Sequence, residues 1–202
     1  MSASRIRYTR DTALGAAMQI FNAIKAFCPL IDQGTDTQCR ALKICGSLRR
    51  RTADVGDIDI VYLSKIGEAA PPGELLPMPG QDLVAAEIRN LVSSGMLAYR
   101  KNRAGNTTDG QWIKFLVHVP TGIPVDFYRA QHKSFWNLVL CRTGSEGHNI
   151  RLAARAQSRG LKWTPTAKDP GFMDGWTPIQ IMSEEHAYEI LGLDFLQPYQ
   201  RD

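Results

Sequence analysis

The stretch Cys45 to Leu63, CGSLRRRTADVGDIDIVYL, places two carboxylates, Asp57 and Asp59, inside a run that is otherwise apolar. On a strand, residues two apart project to the same side, so the two acids converge and Ile58 points away. Like charges that close repel, and one carboxyl keeps its proton unless a cation neutralises both. Oxygen-only ligands on a rigid strand suit magnesium or manganese. The bland alternative is a solvated edge strand carrying both acids. Upstream, Gly46 and Ser47 stand where an apolar strand ends and a helical turn begins, with Ser47 as its expected cap. Free backbone N–H groups at such a point favour anions. Arg50, three positions after Ser47, reaches the same side, and Gly56 lets the backbone come close before the acids begin. A third lone acid, Asp126, occurs in the apolar run Ile123 to Tyr128. Three carboxylates could hold two ions about 3.5–4 Å apart, the arrangement for in-line phosphoryl transfer.

These residues need elements to position them. A 3.6-residue period over Asp11 to Phe27, with Leu14, Ala17, Met18, Phe21 and Ile24 apolar, predicts an amphipathic helix capped by Thr9 or Asp11 and ended before Pro29. A polar connection, Asp32 to Arg40, leads to a short strand over Ala41 to Cys45. Val55 to Leu63 reads as a second strand, and Ser64 to Gln81, rich in proline and glycine, as a long loop. Asp82 is placed to cap another helix that ends near Gly95. Met96 to Lys101 and Gln111 to Val119 read as a hairpin, followed by the strand that carries Asp126. After Cys141 the pattern is helix from Gly147 to Arg159, a loop rich in Pro, Gly and Trp, and a last helix from Ser183 to Leu191. The expected fold is α+β, in two parts: residues 1–140, a mixed sheet flanked by helices, and residues 141–202, smaller and mostly helical.

At 202 residues with 44% hydrophobic and 22% charged residues, the chain can bury a core without metal or disulfide. Its four cysteines lack CxxC spacing, which points to free thiols in a reducing compartment and against a zinc site. The N-terminal MSASRIRYTRD has no signal-peptide core, and no run approaches a membrane span, so a cytoplasmic location is expected. The net charge of +4 permits an anionic partner. Arg151, Arg155 and Arg159 recur four apart on one helical face and, with Arg142, form a basic stripe suited to nucleic-acid phosphates; taken alone, such a stripe is more often a solvated face.

The string GSLRRRTADVGDID resembles the nucleotidyltransferase signature of the family X DNA polymerases. TGSEGHN at 143–149 resembles that family's T-G-S…N segment, and SEEHAYEILGLDFLQPYQRD its C-terminal ending. The resemblance implies a nucleotidyltransferase palm with one preceding helix, over residues 1–140, and a small thumb. It implies Asp57, Asp59 and Asp126 as a triad for two Mg²⁺ ions (or Mn²⁺), with Asp126 activating a primer 3′ hydroxyl. Gly46, Ser47, Arg50 and Gly56 would hold the triphosphate, Gly144 the turn beneath the incoming sugar, and Asn149 the incoming base. The implied activity is DNA polymerisation by a monomer, taking a dNTP and primer-template or gapped DNA in repair. The chain departs from the family where Cys141-Arg142 replaces an aromatic pair and Ala153 replaces an arginine. Transfer to another acceptor (RNA, a protein or a small molecule), or a non-catalytic nucleic-acid-binding module, are the alternative readings.

Overall fold

A computed structural model describes residues 6–32, 38–70, 72–101, 104–165 and 168–201. Strand β1 (Tyr8–Thr9) leads into helix α1 (Arg10–Ile24), where the Thr9 hydroxyl accepts from Thr12 N–H at 3.4 Å and caps the first turn. The buried stripe of α1 is Ala13, Ala16, Ala17, Ile20 and Ile24, which shares only Ala17 and Ile24 with the expected positions; Met18 is exposed. Small alanines let the helix lie close against the sheet. Strands β2 (Leu30–Asp32) and β3 (Gln38–Arg40) pair where a plain connection was expected, and residues 33–37 of that connection lie outside the described set.

Strand β4 (Leu42–Ile44) precedes a single helical turn, α2 (Gly46–Arg49). The residue before this turn is Cys45, so Ser47 lies inside the turn and is not its cap. The expected strand Val55 to Leu63 is two, β5 (Asp54–Val55) and β6 (Ile58–Tyr62), broken at Gly56-Asp57. The expected long loop contains a hairpin, β7 (Ile66–Ala69) with β8 (Met78–Asp82), whose strands are mostly exposed. Helix α3 (Leu83–Ser93) starts as expected at Asp82, which accepts from Ala85 N–H at 2.8 Å. Then come β9 (Leu97–Tyr99), β10 (Ile113–His118) and β11 (Ile123–Arg129).

The central sheet runs β4-β6-β11-β10-β9, with β6 and β11 parallel and the other pairs antiparallel. Alternation along its two middle strands explains the acids. Ile58, Ile60, Tyr62, Val125 and Phe127 face one core, against α1 and α3. Val61, Leu63, Tyr128 and Ala130 face a second core, beneath the C-terminal half of the chain. Asp59 and Asp126 share that second face, but nearer the start of their strands. The cover therefore lies over the ends of β6 and β11 and leaves their beginnings open.

The cover is built from α4 (Phe135–Thr143), α5 (Glu146–Ser158), β12 (Leu161–Trp163), β13 (Gly171–Asp174), β14 (Thr177–Gln180) and α6 (Glu184–Leu191). Helix α4 runs through position 140, where the sequence suggested a division. The expected Pro-, Gly- and Trp-rich loop is a three-stranded sheet, so this half is less helical than anticipated. The protein is thus a mixed α/β molecule with six helices among the described residues. No helix among them is long and apolar enough to cross a membrane.

Three consecutive arginines fasten the two halves. Arg49 donates to Thr143 Oγ1 at 2.6 Å and ion-pairs with Glu184; Arg50 donates to the Thr143 carbonyl; Arg51 lies 5.0 Å from the Tyr199 ring. Glu184 is 3% exposed and also receives Arg201, itself 0% exposed, at 2.6 Å. Burial alone pushes the Glu184 carboxyl up, but Arg49 and then Arg201 outweigh it and hold it below its ordinary 4.5. Removing one partner of such a group leaves buried charge uncompensated, so Glu184→Gln should cost about 3–5 kcal/mol in urea unfolding at pH 7. On acidification the unfolded chain protonates this carboxyl first. The triad's stabilisation is therefore complete above pH 4.5 and lost as pH falls through the folded value, and Glu184→Gln should flatten that part of the stability profile.

Candidate active-site cleft

Between the open beginnings of β6 and β11 and the facing edge of α4 and α5 lies a cleft of about 840 Å³. Parallel pairing puts Asp126 directly beside Asp59 in register, and Asp57 enters the same cleft from just before β6. Burial, then Asp57 and Asp126, push the Asp59 carboxyl up to about 7, with Arg142 opposing them. Burial also raises Asp126, against the pull of Arg100, which ion-pairs with it and lies 4.7 Å over the Phe115 ring. The Tyr128 hydroxyl, two residues on along the same face, donates to Asp126 Oδ2 at 3.4 Å.

Gly46 is fixed here by two constraints. Its φ of +63° is in the left-handed region, and a Cβ on it would come within 2.1 Å of Asp59 Oδ2. The neighbouring Cys45 N–H donates to the Asp59 carbonyl at 2.7 Å, so the start of the α2 turn is bound to the acid-bearing strand. Ser47, Arg50 and Gly56 line the same cleft, and Ser47 Oγ is buried without a protein hydrogen-bond partner. Arg7 lines it too. Sequence reasoning missed Arg7, Arg100 and Tyr128; the sole signal for Arg7 was its place in the basic RIRYTR string ahead of α1.

From the other wall come Cys141, Arg142, Gly144 and Asn149. Arg142 lies flat on Tyr128, 3.9 Å from the ring centre. Gly144, φ +61°, leaves only 3.2 Å between a would-be Cβ and Arg50 Nη1. Asn149 Nδ2 donates to the Cys141 carbonyl at 2.8 Å, which ties the start of α5 to the end of α4. Ile150, Ala153, Trp163 and Pro165 make the remaining wall apolar. Arg151, Arg155 and Arg159 are not brought to the cleft. Arg155 Nε donates to the Leu191 carbonyl at 2.9 Å and its Nη2 to Gly192 at 3.4 Å, closing the end of α6, and Arg159 approaches Gly192 as well.

The donor set suits a hard dication: oxygen-only carboxylates, two of them in register on adjoining strands, destabilised by one another's charge. Among the described residues no three His, Cys, Asp or Glu side chains converge closely enough to chelate an ion, and Asp126 is ion-paired with Arg100. The chemistry of the site fits a divalent cation, while the present balancing charge comes from two arginines.

Residues 138–202 match the family model described as DNA polymerase beta thumb, about a third of the chain. This supports a relationship to family X polymerases and a DNA-binding, polymerase-like function for that part. The match begins after all three aspartates and does not reach them. No curated protein matches the chain.

The crowding of Asp59 has a stability signature. A carboxyl raised from 3.8 to about 7 binds its proton more tightly when folded, so its contribution is present below pH 3.8 and is lost as pH rises towards 7. At pH 8, Asp59→Asn should therefore raise the melting temperature of the metal-free protein by roughly 3–6 °C, on the order of 1–2 kcal/mol. The same variant should lose most of the stabilisation that millimolar Mg²⁺ or Mn²⁺ gives the wild type. Thermal melts with EDTA and with each cation read both effects.

Proposed function

We propose that the protein is a DNA polymerase of minimal family X type, transferring a dNMP from a dNTP to a primer 3′ hydroxyl, with gap filling in repair as its setting. The observation that carries this reading is the in-register pairing of Asp59 with Asp126 in a cleft whose opposite wall is the thumb-like segment. In the reaction the 3′ oxygen attacks the α-phosphorus, the bond to the bridging oxygen breaks, and pyrophosphate leaves with the electron pair. Asp57, Asp59 and Asp126 would hold divalent ions, which supply charge neutralisation for the phosphates and a lowered pKa for the attacking hydroxyl. Asp126, freed from Arg100, would accept the proton of that hydroxyl. Arg7, Arg50 and Ser47 would bind the triphosphate, and Gly46 and Gly56 keep side chains out of its way. The apolar wall at Ile150, Ala153 and Trp163 would take the base end, with Asn149 at its edge.

A second reading, nucleotidyl transfer to another acceptor, is favoured by one feature. Arg142 on Tyr128 puts a cation, not an aromatic ring, on the floor where the sugar would rest. Both readings are separated by extension of a labelled primer across a one-nucleotide gap, with Mg²⁺ or Mn²⁺ and each dNTP and NTP in turn. The polymerase reading expects one added nucleotide, directed by the template. Asp57→Ala, Asp59→Ala and Asp126→Ala should each lower the rate by at least about 10²–10³-fold. No incorporation by the wild type, or full activity in Asp57→Ala, would sink it; transfer to RNA or a non-nucleic acceptor alone would establish the second.

A further inference from the structure

Of the four tryptophans, three are accounted for. Trp136 is 7% exposed, Trp163 is 9% exposed and bonded to Asn137, and Trp112 is half-buried between Arg129 and Lys168. Trp176 is 99% exposed. It sits at the tip of the β13–β14 hairpin, in the two-residue loop Gly175-Trp176, where Gly175 has φ +56°. A glycine with positive φ at the first loop position is what a tight two-residue hairpin needs. The indole is thus held out by ordered backbone, and it contributes nothing to the core that usually repays so large an apolar side chain.

Its neighbourhood is rich in positive charge, with Asp174 just before the loop and Asp194 beside Arg151 and Arg155 as the acids near it. From Gly147 through Lys168 the chain carries Arg151, Arg155, Arg159, Lys162 and Lys168 and no acidic residue. Antiparallel register places Leu161 beside Asp174, so Arg159 and Gly160, just before β12, lie at the same end of this sheet as the Gly175-Trp176 tip. Arg151, Arg159 and Lys162 are exposed. Asp174, paired with Thr177 at the base of the loop, is exposed too.

We infer that Trp176 is a stacking platform for an unpaired base, and that the exposed cations of α5 and β12 follow the backbone of the same single strand. An aromatic face offered beside a row of arginines and lysines fits single-stranded nucleic acid, since the bases of a duplex interior present no free face. The surface lies outside the cleft and involves none of the residues that would carry out phosphoryl transfer. It rests on the nucleic-acid part of the proposed function and assigns that function a second contact, for a strand that leaves the cleft.

Fluorescence anisotropy of a labelled single-stranded 12-mer with the full chain tests this. Trp176→Ala should bind about 5- to 50-fold more weakly, and Trp176→Phe within about 3-fold of wild type. Arg159→Ala and Lys162→Ala should each reduce the slope of log K against log salt by roughly 0.7. The 12-mer should also shield the protein from acrylamide quenching in wild type, and less so in Trp176→Ala. Equal affinity of wild type and Trp176→Ala, or equal affinity for a 12-mer of abasic sites, overturns the inference. So does shielding of Trp176 by protein self-association without oligonucleotide, read by sedimentation. Primer extension run in parallel separates the two proposals: if wild type extends nothing but 12-mer affinity still depends on Trp176, the polymerase reading falls and this one stands.

Discussion

Glu184 is held in the interior by guanidiniums from two distant places, Arg49 in the turn after β4 and Arg201 in the segment after α6. The cleft exists because of this contact: one wall is the sheet with the α2 turn, the other is α4 and α5, and the triad and Thr143 lock the first to the second. Burying an ion pair is a poor source of stability when set against well-packed apolar groups. Its effect here is on placement. An apolar contact would tolerate sliding, whereas Arg49 is held by Thr143 Oγ1 and Glu184 together, and its neighbour Arg50 is thereby carried to the mouth of the cleft.

That placement works against the sheet's own preference. The same face that buries Val61, Leu63 and Ala130 carries Asp59 and Asp126 a few residues earlier, so the two strands change from core to cleft within a few residues. Both acids lose water; Asp126 is compensated by Arg100, whereas Asp59, crowded by Asp57 and Asp126, is held well above the ordinary carboxylate range, which destabilises the ionised folded chain. The requirement for glycine at position 46 follows from the same crowding, since the α2 turn must come close enough for Cys45 to bond to the Asp59 carbonyl.

The aspartates were legible in the sequence because a lone acid in an apolar, two-residue period is a local anomaly. The nearby glycine, serine and arginine were legible from a strand ending at a helical turn, where backbone N–H groups are free and Arg50 falls on the same side as Ser47. Their partners were not. Arg100 reaches Asp126 only through the β9–β10–β11 register, and Tyr128 looked like one more apolar strand residue. RRR at 49–51 reads as one basic cluster, yet tertiary structure divides it into an ion pair, a carbonyl donor and a ring contact. Four-residue spacing put Arg151, Arg155 and Arg159 on one helix, but α5 ends at Ser158 with Arg159 just beyond it, and spacing could not say that Arg155 closes the end of α6. The β7–β8 hairpin and the β12–β14 sheet were hidden by proline and glycine, whose turn signals are equally strong inside hairpins and in loops.

The charge on the carboxylates is balanced from two different bodies. Arg100 follows the edge strand β9 and is ion-paired with Asp126. Arg142 belongs to the end of α4, in the thumb-like segment, and lies on the Tyr128 ring beside the acids. Arg142 counters the rise in the Asp59 carboxyl, whereas Asp126 is countered by Arg100. A small displacement of α4 relative to the sheet therefore changes the field at Asp59 while leaving that at Asp126 nearly as it was. The triad formed by Arg49, Glu184 and Arg201, which fixes where α4 and α6 sit, thus also fixes how strongly the cleft opposes the ionisation of its central acid.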